Sequence, residues 1–266
     1  MVWPNKHYFC IMQLNHKTFG QGPPLLVLHG LFGTLDNWQT LAKRWAEHFT
    51  VFIVDQRNHG RSPHADVINY PTLADDLHLF MEEHWIYKAH ILGHSMGGKT
   101  AMQFALQYPD MVDKLIVVDI APKSYAGGHE VILDALLSLD LPNLNDRKEA
   151  EALLEQRIPE YGVRQFLLKN LTRDANGGFA WKMNLPSIYN HYADILADVD
   201  AAAAPFEGPA LFVRGSRSDY ITDADWPALK ERFAQAELAT IEGAGHWVHA
   251  DQPDALFATV QAFLEA

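Results

Sequence analysis

Apolar residues along this chain fall into two patterns that take turns. Short runs rich in Val, Ile and Leu, at 25–28 (LLVL), 51–54 (VFIV), 90–92 (HIL), 115–118 (LIVV) and 211–213 (LFV), show little alternation with polar positions. Such runs predict strands buried on both faces of a parallel sheet. Between most of them the apolar positions recur at helical spacing. Leu73, Leu77, Phe80 and Met81 make one stripe, Met102, Ala105 and Leu106 another, and Leu256, Phe257, Val260, Phe263 and Leu264 a third near the C-terminus. Strand and helix patterns in alternation predict an α/β fold.

The alternation breaks once, between Ile120 and about Pro209, where the pattern turns helical and no buried strand is legible. Residues 147–158 place Ala150, Leu153, Leu154 and Ile158 on one face, and 188–204 read as a helix running into four alanines stopped by Pro205. The expected organisation is a core in two parts, 1–122 and 208–266, with a helical cap inserted at 123–207. Open α/β sheets bind ligands at their carboxyl edge, and the cap is expected to lie over it.

Composition narrows the partners. The 266 residues are 48% hydrophobic and 20% charged, too apolar for a disordered chain. Twenty-one Lys and Arg against 33 Asp and Glu leave a net charge of -12, which repels polyanions and excludes nucleic acid and anionic membranes as default partners. No run of 18 apolar residues is present, so no membrane span is expected. The one cysteine, Cys10, sits in an N-terminal strand pattern and has no internal disulfide partner. The first residues lack the charged and long apolar regions of a secretory signal, and a cytoplasmic location is expected.

The chemistry concentrates at Gly93-His94-Ser95-Met96-Gly97, a G-x-S-x-G between an apolar run and a helical stretch. A serine in a sharp strand-to-helix turn needs glycine two residues to either side, because a Cβ there would clash. The alternative, a glycine-rich turn with a capping serine, explains the strand and helix around it less well. A serine hydroxyl needs a base, usually histidine. Of 14 histidines, His246 lies in the loop Gly243-Ala244-Gly245-His246-Trp247, before the last helix. His94 is expected to shape the cleft and His249 to be a wall residue, while His78, His84 and His129 fall on helical patterns.

Two carboxylates are candidates to orient the base. Asp119 follows the run at 115–118, and Asp219 follows the run at 211–213. The usual acid position after the later strand falls on Ser218, which shifts the assignment toward Asp119 and keeps Asp219 as the alternative. Oxyanion donors are expected from the N–H of Met96 and from Leu31 in His29-Gly30-Leu31-Phe32-Gly33, with Phe32 as second choice. Phe32, His94, Tyr125, Phe166, Trp181, Tyr189 and Trp247 are candidates for the substrate pocket. Asp55, Arg57 and His59 read as a polar turn pinned by internal hydrogen bonds. No cluster suggests a metal site. The negative charge favours neutral over strongly anionic substrates unless a cation such as Lys169 or Lys182 lines the entrance.

Taken in order, HGLFGTLDNW, VDQRNHGRSP, GHSMGGK, VVDIAP, QFLLKNL and GAGHWVHADQPD resemble the YbfF-type branch of bacterial α/β-hydrolase esterases along almost the whole chain. The resemblance implies a mostly parallel, eight-stranded sheet with a helical cap, no cofactor, and hydrolysis of carboxylic esters or thioesters, with small to medium acyl esters expected. Amidase, peptidase, C–C hydrolase or acyltransferase chemistry with the same triad, or a non-catalytic binding protein on this fold, are the alternatives. It also implies Ser95 as nucleophile, His246 as base and Asp119 as acid, with Ser218 assisting the histidine.

Overall fold

The structure, a computed structural model, describes residues 12–175, 177–199 and 204–266. Its main sheet has seven strands among these residues: β1 (His16–Phe19), β2 (Pro24–Leu28), β3 (Thr50–Val54), β4 (Ala89–His94), β5 (Val112–Val118), β8 (Phe206–Gly215) and β9 (Phe233–Ile241). They lie in the order β1-β3-β2-β4-β5-β8-β9, and all pairs are parallel except β1 with β3. Each run read as a strand lies within one. The count is seven against the eight expected, and the strand pattern around Cys10 lies outside the described residues. The edge strand β1 escapes a search for apolar runs because its four residues, HKTF, are at most half-buried.

Side-chain alternation assigns the strands' two faces. Leu26, Leu28, Ile91, Leu115, Val117 and Phe212 face helices α2 (Tyr70–Glu83) and α3 (Met96–Gln107). Leu25, Val27, Leu92, Ile116, Val118 and Val213 face α1 (Gln39–Trp45) and the C-terminal α11 (Pro253–Glu265). The short helices α9 (Trp226–Arg232) and α10 (Val248–Asp251) complete the core. Among the apolar side chains, Leu25, Leu26, Leu92 and Leu115 are fully buried. Each such side chain stabilises by about 1.5–3 kcal/mol relative to exposure.

Between β5 and β8 come α4 (Glu130–Leu137), α5 (Arg147–Glu155), α6 (Tyr161–Leu168), a hairpin of β6 (Leu171–Arg173) and β7 (Phe179–Trp181), then α7 (Leu185–Asn190) and α8 (Tyr192–Leu196). Their apolar faces form a third cluster, with Leu133, Leu136, Leu154, Leu167 and Ile188 packed in one group with Phe32, Tyr70 and Met96 of the core. The helix expected over 188–204 is instead two short helices ending at Leu196. Ala197 is already extended at ψ 161°. Tertiary contacts hold this turn: the carbonyl of Leu196 accepts from the Tyr125 N–H at 2.9 Å, and Lys99 reaches the same turn. Residues 200–203 lie outside the described residues.

Candidate active site

Ser95 stands between β4 and α3 with φ 53° and ψ -122°, a backbone conformation that costs of order 1–3 kcal/mol and persists only when its surroundings enforce it. The enforcement is visible. The Ser95 N–H donates to the Val118 carbonyl at 3.0 Å, and its carbonyl accepts from the Lys99 N–H at 3.0 Å. A Cβ on Gly93 would come within 2.1 Å of the Gly97 carbonyl oxygen, and one on Gly97 within 2.5 Å of the Leu28 oxygen. Only glycine fits at either place, as the pentapeptide predicts.

His246 comes to Ser95 from the loop after β9, its Nε2 3.1 Å from Ser95 Oγ and its Nδ1 2.8 Å from Asp119 Oδ2. Asp119 ends β5, also at positive φ (55°), and is fully buried. Three donors surround its carboxylate. Besides His246, the Gly215 N–H donates to Oδ1 at 3.0 Å and Ser218 Oγ to Oδ2 at 2.5 Å. Ser218 therefore reaches the histidine through Asp119 and not directly. Asp219 is exposed at the rim of the cleft, and the carboxylate on His246 is Asp119's.

Two neighbours fix the imidazole. The Tyr220 ring stacks on it, centroids 3.8 Å apart and 18° between planes. His94 Nε2 donates to the backbone carbonyl of His246 at 2.8 Å. Burial, and next the nearby rings of His246 and His249, hold His94 well below the usual imidazole value, so it stays a neutral donor.

Facing Ser95 is the turn Gly30–Gly33, closed by Gly33 N–H to Gly30 carbonyl at 2.9 Å, with Phe32 at φ 59°. A Cβ on Gly30 would lie 3.1 Å from the Ser95 Cβ, so the glycine lets this turn approach the serine. Asn170, from the segment after α6, donates to the Phe32 carbonyl at 2.7 Å. Below the turn, Asp55 accepts from Leu35, Asn15 and Arg61, and Arg57 grips Asp76 with two hydrogen bonds of 2.5 and 2.6 Å. These residues pin the loop after β3, as their sequence suggests.

The cleft has two lobes that meet at Ser95 and share Leu31, Gly128 and His129. The first, of about 250 Å³, is lined by Phe32, Trp38, His94, Phe166, Trp247 and His249 among others. The second, of about 330 Å³, is lined by Tyr70, Met96, Lys99, Tyr125, Ile195 and Tyr220 among others. Trp181 and Tyr189 do not reach either lobe. Trp181 faces a separate cavity beside Leu136 and Pro186, and Tyr189 is 47% exposed on α7. Neither Lys169 nor Lys182 lines a lobe wall: the Lys182 ammonium bonds the Lys169 carbonyl at 2.9 Å, while the charge of Lys169 is felt by His249 in the wall of the first lobe. Lys99, Tyr220, Asn170 and His129 belong to the site but were not expected there. Lys99 and Asn170 sit inside GHSMGGK and QFLLKNL, and a lysine four residues past Ser95 on a buried helix was the available signal.

Comparison with known proteins identifies the family. The profile of the family described as alpha/beta hydrolase fold matches residues 23–253. The sn-1-specific diacylglycerol lipase ABHD11 of Danio rerio is 40% identical over 256 residues, 92% of this chain and 80% of its own. Esterase YbfF of Escherichia coli is 38% identical over 242 residues, 91% and 92% of the two chains. The solved structure of a marine microorganism esterase superposes with a TM-score of 0.93 at 44% identity, covering 95% of this chain and 99% of that one.

Proposed function

The chain belongs to the α/β-hydrolase fold family and is a carboxylic ester hydrolase, and we infer that Ser95 is its nucleophile, His246 its base and Asp119 the acid that orients the base. His246 Nε2 takes the proton from Ser95 Oγ as the oxygen attacks the ester carbonyl. The carbonyl oxygen becomes an oxyanion held by the backbone N–H of Met96, at the positive end of α3, and by that of Leu31 in the Gly30–Gly33 turn, with Phe32 next in line. His246 then hands its proton to the leaving alcohol, and the acyl group remains on Ser95. Water, deprotonated by the same histidine, attacks the acyl-enzyme and releases the acid. Asp119 fixes the tautomer with Nε2 free to accept and stabilises the imidazolium, and Ser218 and Gly215 hold Asp119 in place.

The observation that carries this reading is the unbroken line Ser95 Oγ, His246 Nε2, His246 Nδ1, Asp119 Oδ2, with spacings of 3.1 and 2.8 Å at its two contacts. Three separate loops of the chain must converge for it to exist. The reading treats 123–207 as a cap that roofs both lobes, and the lobe volumes suit small to medium acyl groups. Thioesters belong to the same reading, since the relay is indifferent to a sulfur leaving group. The reading also keeps the cytoplasmic address expected of a chain with one cysteine.

Release of p-nitrophenol from p-nitrophenyl acetate and butyrate by the wild type and by Ser95→Ala tests the assignment. Wild-type turnover and a loss of several orders of magnitude in the variant are expected. Equal rates in the two proteins would overturn it.

A further inference from the structure

Lys99 lies one helical turn beyond Ser95 on α3, on the same side of the helix, and lines the second lobe. The residue is 1% exposed. A buried ammonium is ordinarily matched by a carboxylate. Lys99 forms no ion pair among the described residues. Its ammonium donates to the carbonyl oxygens of Leu196, at 3.2 Å, and Ala197, and it faces the rings of Tyr125 and Tyr70 at 4.8 and 5.4 Å. Both phenol hydroxyls are committed elsewhere, Tyr70 to the Ile195 carbonyl at 2.5 Å and Tyr125 to the Tyr220 carbonyl at 2.7 Å. An ammonium has three protons and these contacts use two on neutral acceptors, so a formal positive charge remains in the wall of a substrate lobe.

The two lobes differ in what they offer a reacting ester. The leaving oxygen must receive a proton from His246, and His246 and Trp247 line the first lobe. The second lobe follows α3 downward from Met96, whose N–H faces the acyl oxygen in the proposed reaction.

We propose that the second lobe holds the acyl chain and that Lys99 binds a carboxylate at its far end, making half-esters of short dicarboxylic acids substrates of this enzyme. This rests on Ser95 being the nucleophile. Burial lowers Lys99 to about 8, with Asp198 opposing and Lys123 adding to the fall, so the ammonium is mostly charged at neutral pH. The exposed Asp219 at the rim of the same lobe repels an incoming anion, but water screens it, whereas Lys99 acts inside the lobe.

The test compares monoethyl succinate, glutarate and adipate with ethyl butanoate, pentanoate and hexanoate, following ethanol release by the wild type, Lys99→Met and Lys99→Arg. The wild type should hydrolyse at least one half-ester with kcat/KM no lower than its neutral counterpart. Lys99→Met should lower that ratio roughly tenfold or more, and Lys99→Arg should retain most of it. An acetate ester of 4-hydroxybutanoate, with its carboxylate on the alcohol side and its hydrolysis followed by acetate release, should not respond to either substitution. A wild type that rejects all three half-esters by tenfold or more overturns the proposal without any variant. So does an equal fall of both substrate classes in Lys99→Met, which would make Lys99 a strut between α3 and α8, or a response confined to the acetate ester. Failure of the nucleophile assignment looks different: Ser95→Ala would then keep its turnover of ethyl butanoate.

Discussion

His94 and His246 are joined by one hydrogen bond, from His94 Nε2 to the His246 backbone carbonyl at 2.8 Å. The residue before Ser95 thus holds the loop that carries His246. Their rings lie 4.9 Å apart. Replacing His94 by Ala leaves the His246 carbonyl without this donor and opens space beside the imidazole. We expect kcat to fall roughly ten- to a hundredfold with KM changed only a few fold, since the loss is of alignment rather than of substrate contacts. Steady-state kinetics on p-nitrophenyl butyrate measures both, and a rise in KM at constant kcat would assign His94 to binding instead.

The two candidate acids separate cleanly by mutation. Asp119→Asn removes the acceptor that sets the His246 tautomer and should lower kcat by roughly ten thousandfold. Asp219→Asn, at the exposed rim, should leave it within a few fold. A large loss in Asp219→Asn alone would transfer the role.

Asn170 couples the segment after α6 to the Gly30–Gly33 turn through its 2.7 Å bond to the Phe32 carbonyl. Asn170→Ala lets that turn relax. The expected result is a fall of roughly tenfold or more in kcat for every ester tried, independent of acyl length. A loss that scales with acyl length would place Asn170 in the pocket and contradict this.

Acid should destabilise the fold through its buried histidines. Burial lowers His29, His59 and His94, with His59 at about 3. In the unfolded chain these residues take up protons near the ordinary value of about 6.5. The unfolded state therefore binds more protons below that pH, and stability is full above it and falls as acid is added. Melting temperature measured from pH 7 to 4 should decline through this window, and less steeply in His59→Gln. A melting temperature that rises on acidification would contradict the assignment.

What the sequence made legible divides along physical lines. Strands buried on both faces announce themselves as apolar runs, so β2 to β5 and β8 could be read directly, whereas β1, with its HKTF sequence on a sheet edge, could not. Ser95 and His246 were legible because turn geometry demands glycine around them. Asp119 was favoured over Asp219 because the usual acid position after the later strand falls on Ser218, and in the structure Ser218 and Gly215 donate to the buried Asp119 carboxylate while Asp219 faces solvent. The pocket was only partly legible. Aromatic residues in a helical segment can face either way, and Phe166, Tyr125 and Trp247 turn inward while Trp181 and Tyr189 do not. Tyr220 and Lys99 act through ring stacking and an unneutralised charge, which depend on side chains meeting in space and leave no periodic trace.

The central claim is that Ser95 carries the acyl group. Its most direct test is to label the protein with an alkyl fluorophosphonate and locate the adduct by mass spectrometry of tryptic peptides while following residual esterase activity. The account predicts one adduct, on the peptide containing Ser95, that accumulates in step with loss of activity and is absent from Ser95→Ala. Full inactivation with the adduct on another residue, or a Ser95→Ala variant that still hydrolyses p-nitrophenyl butyrate at the wild-type rate, would contradict it.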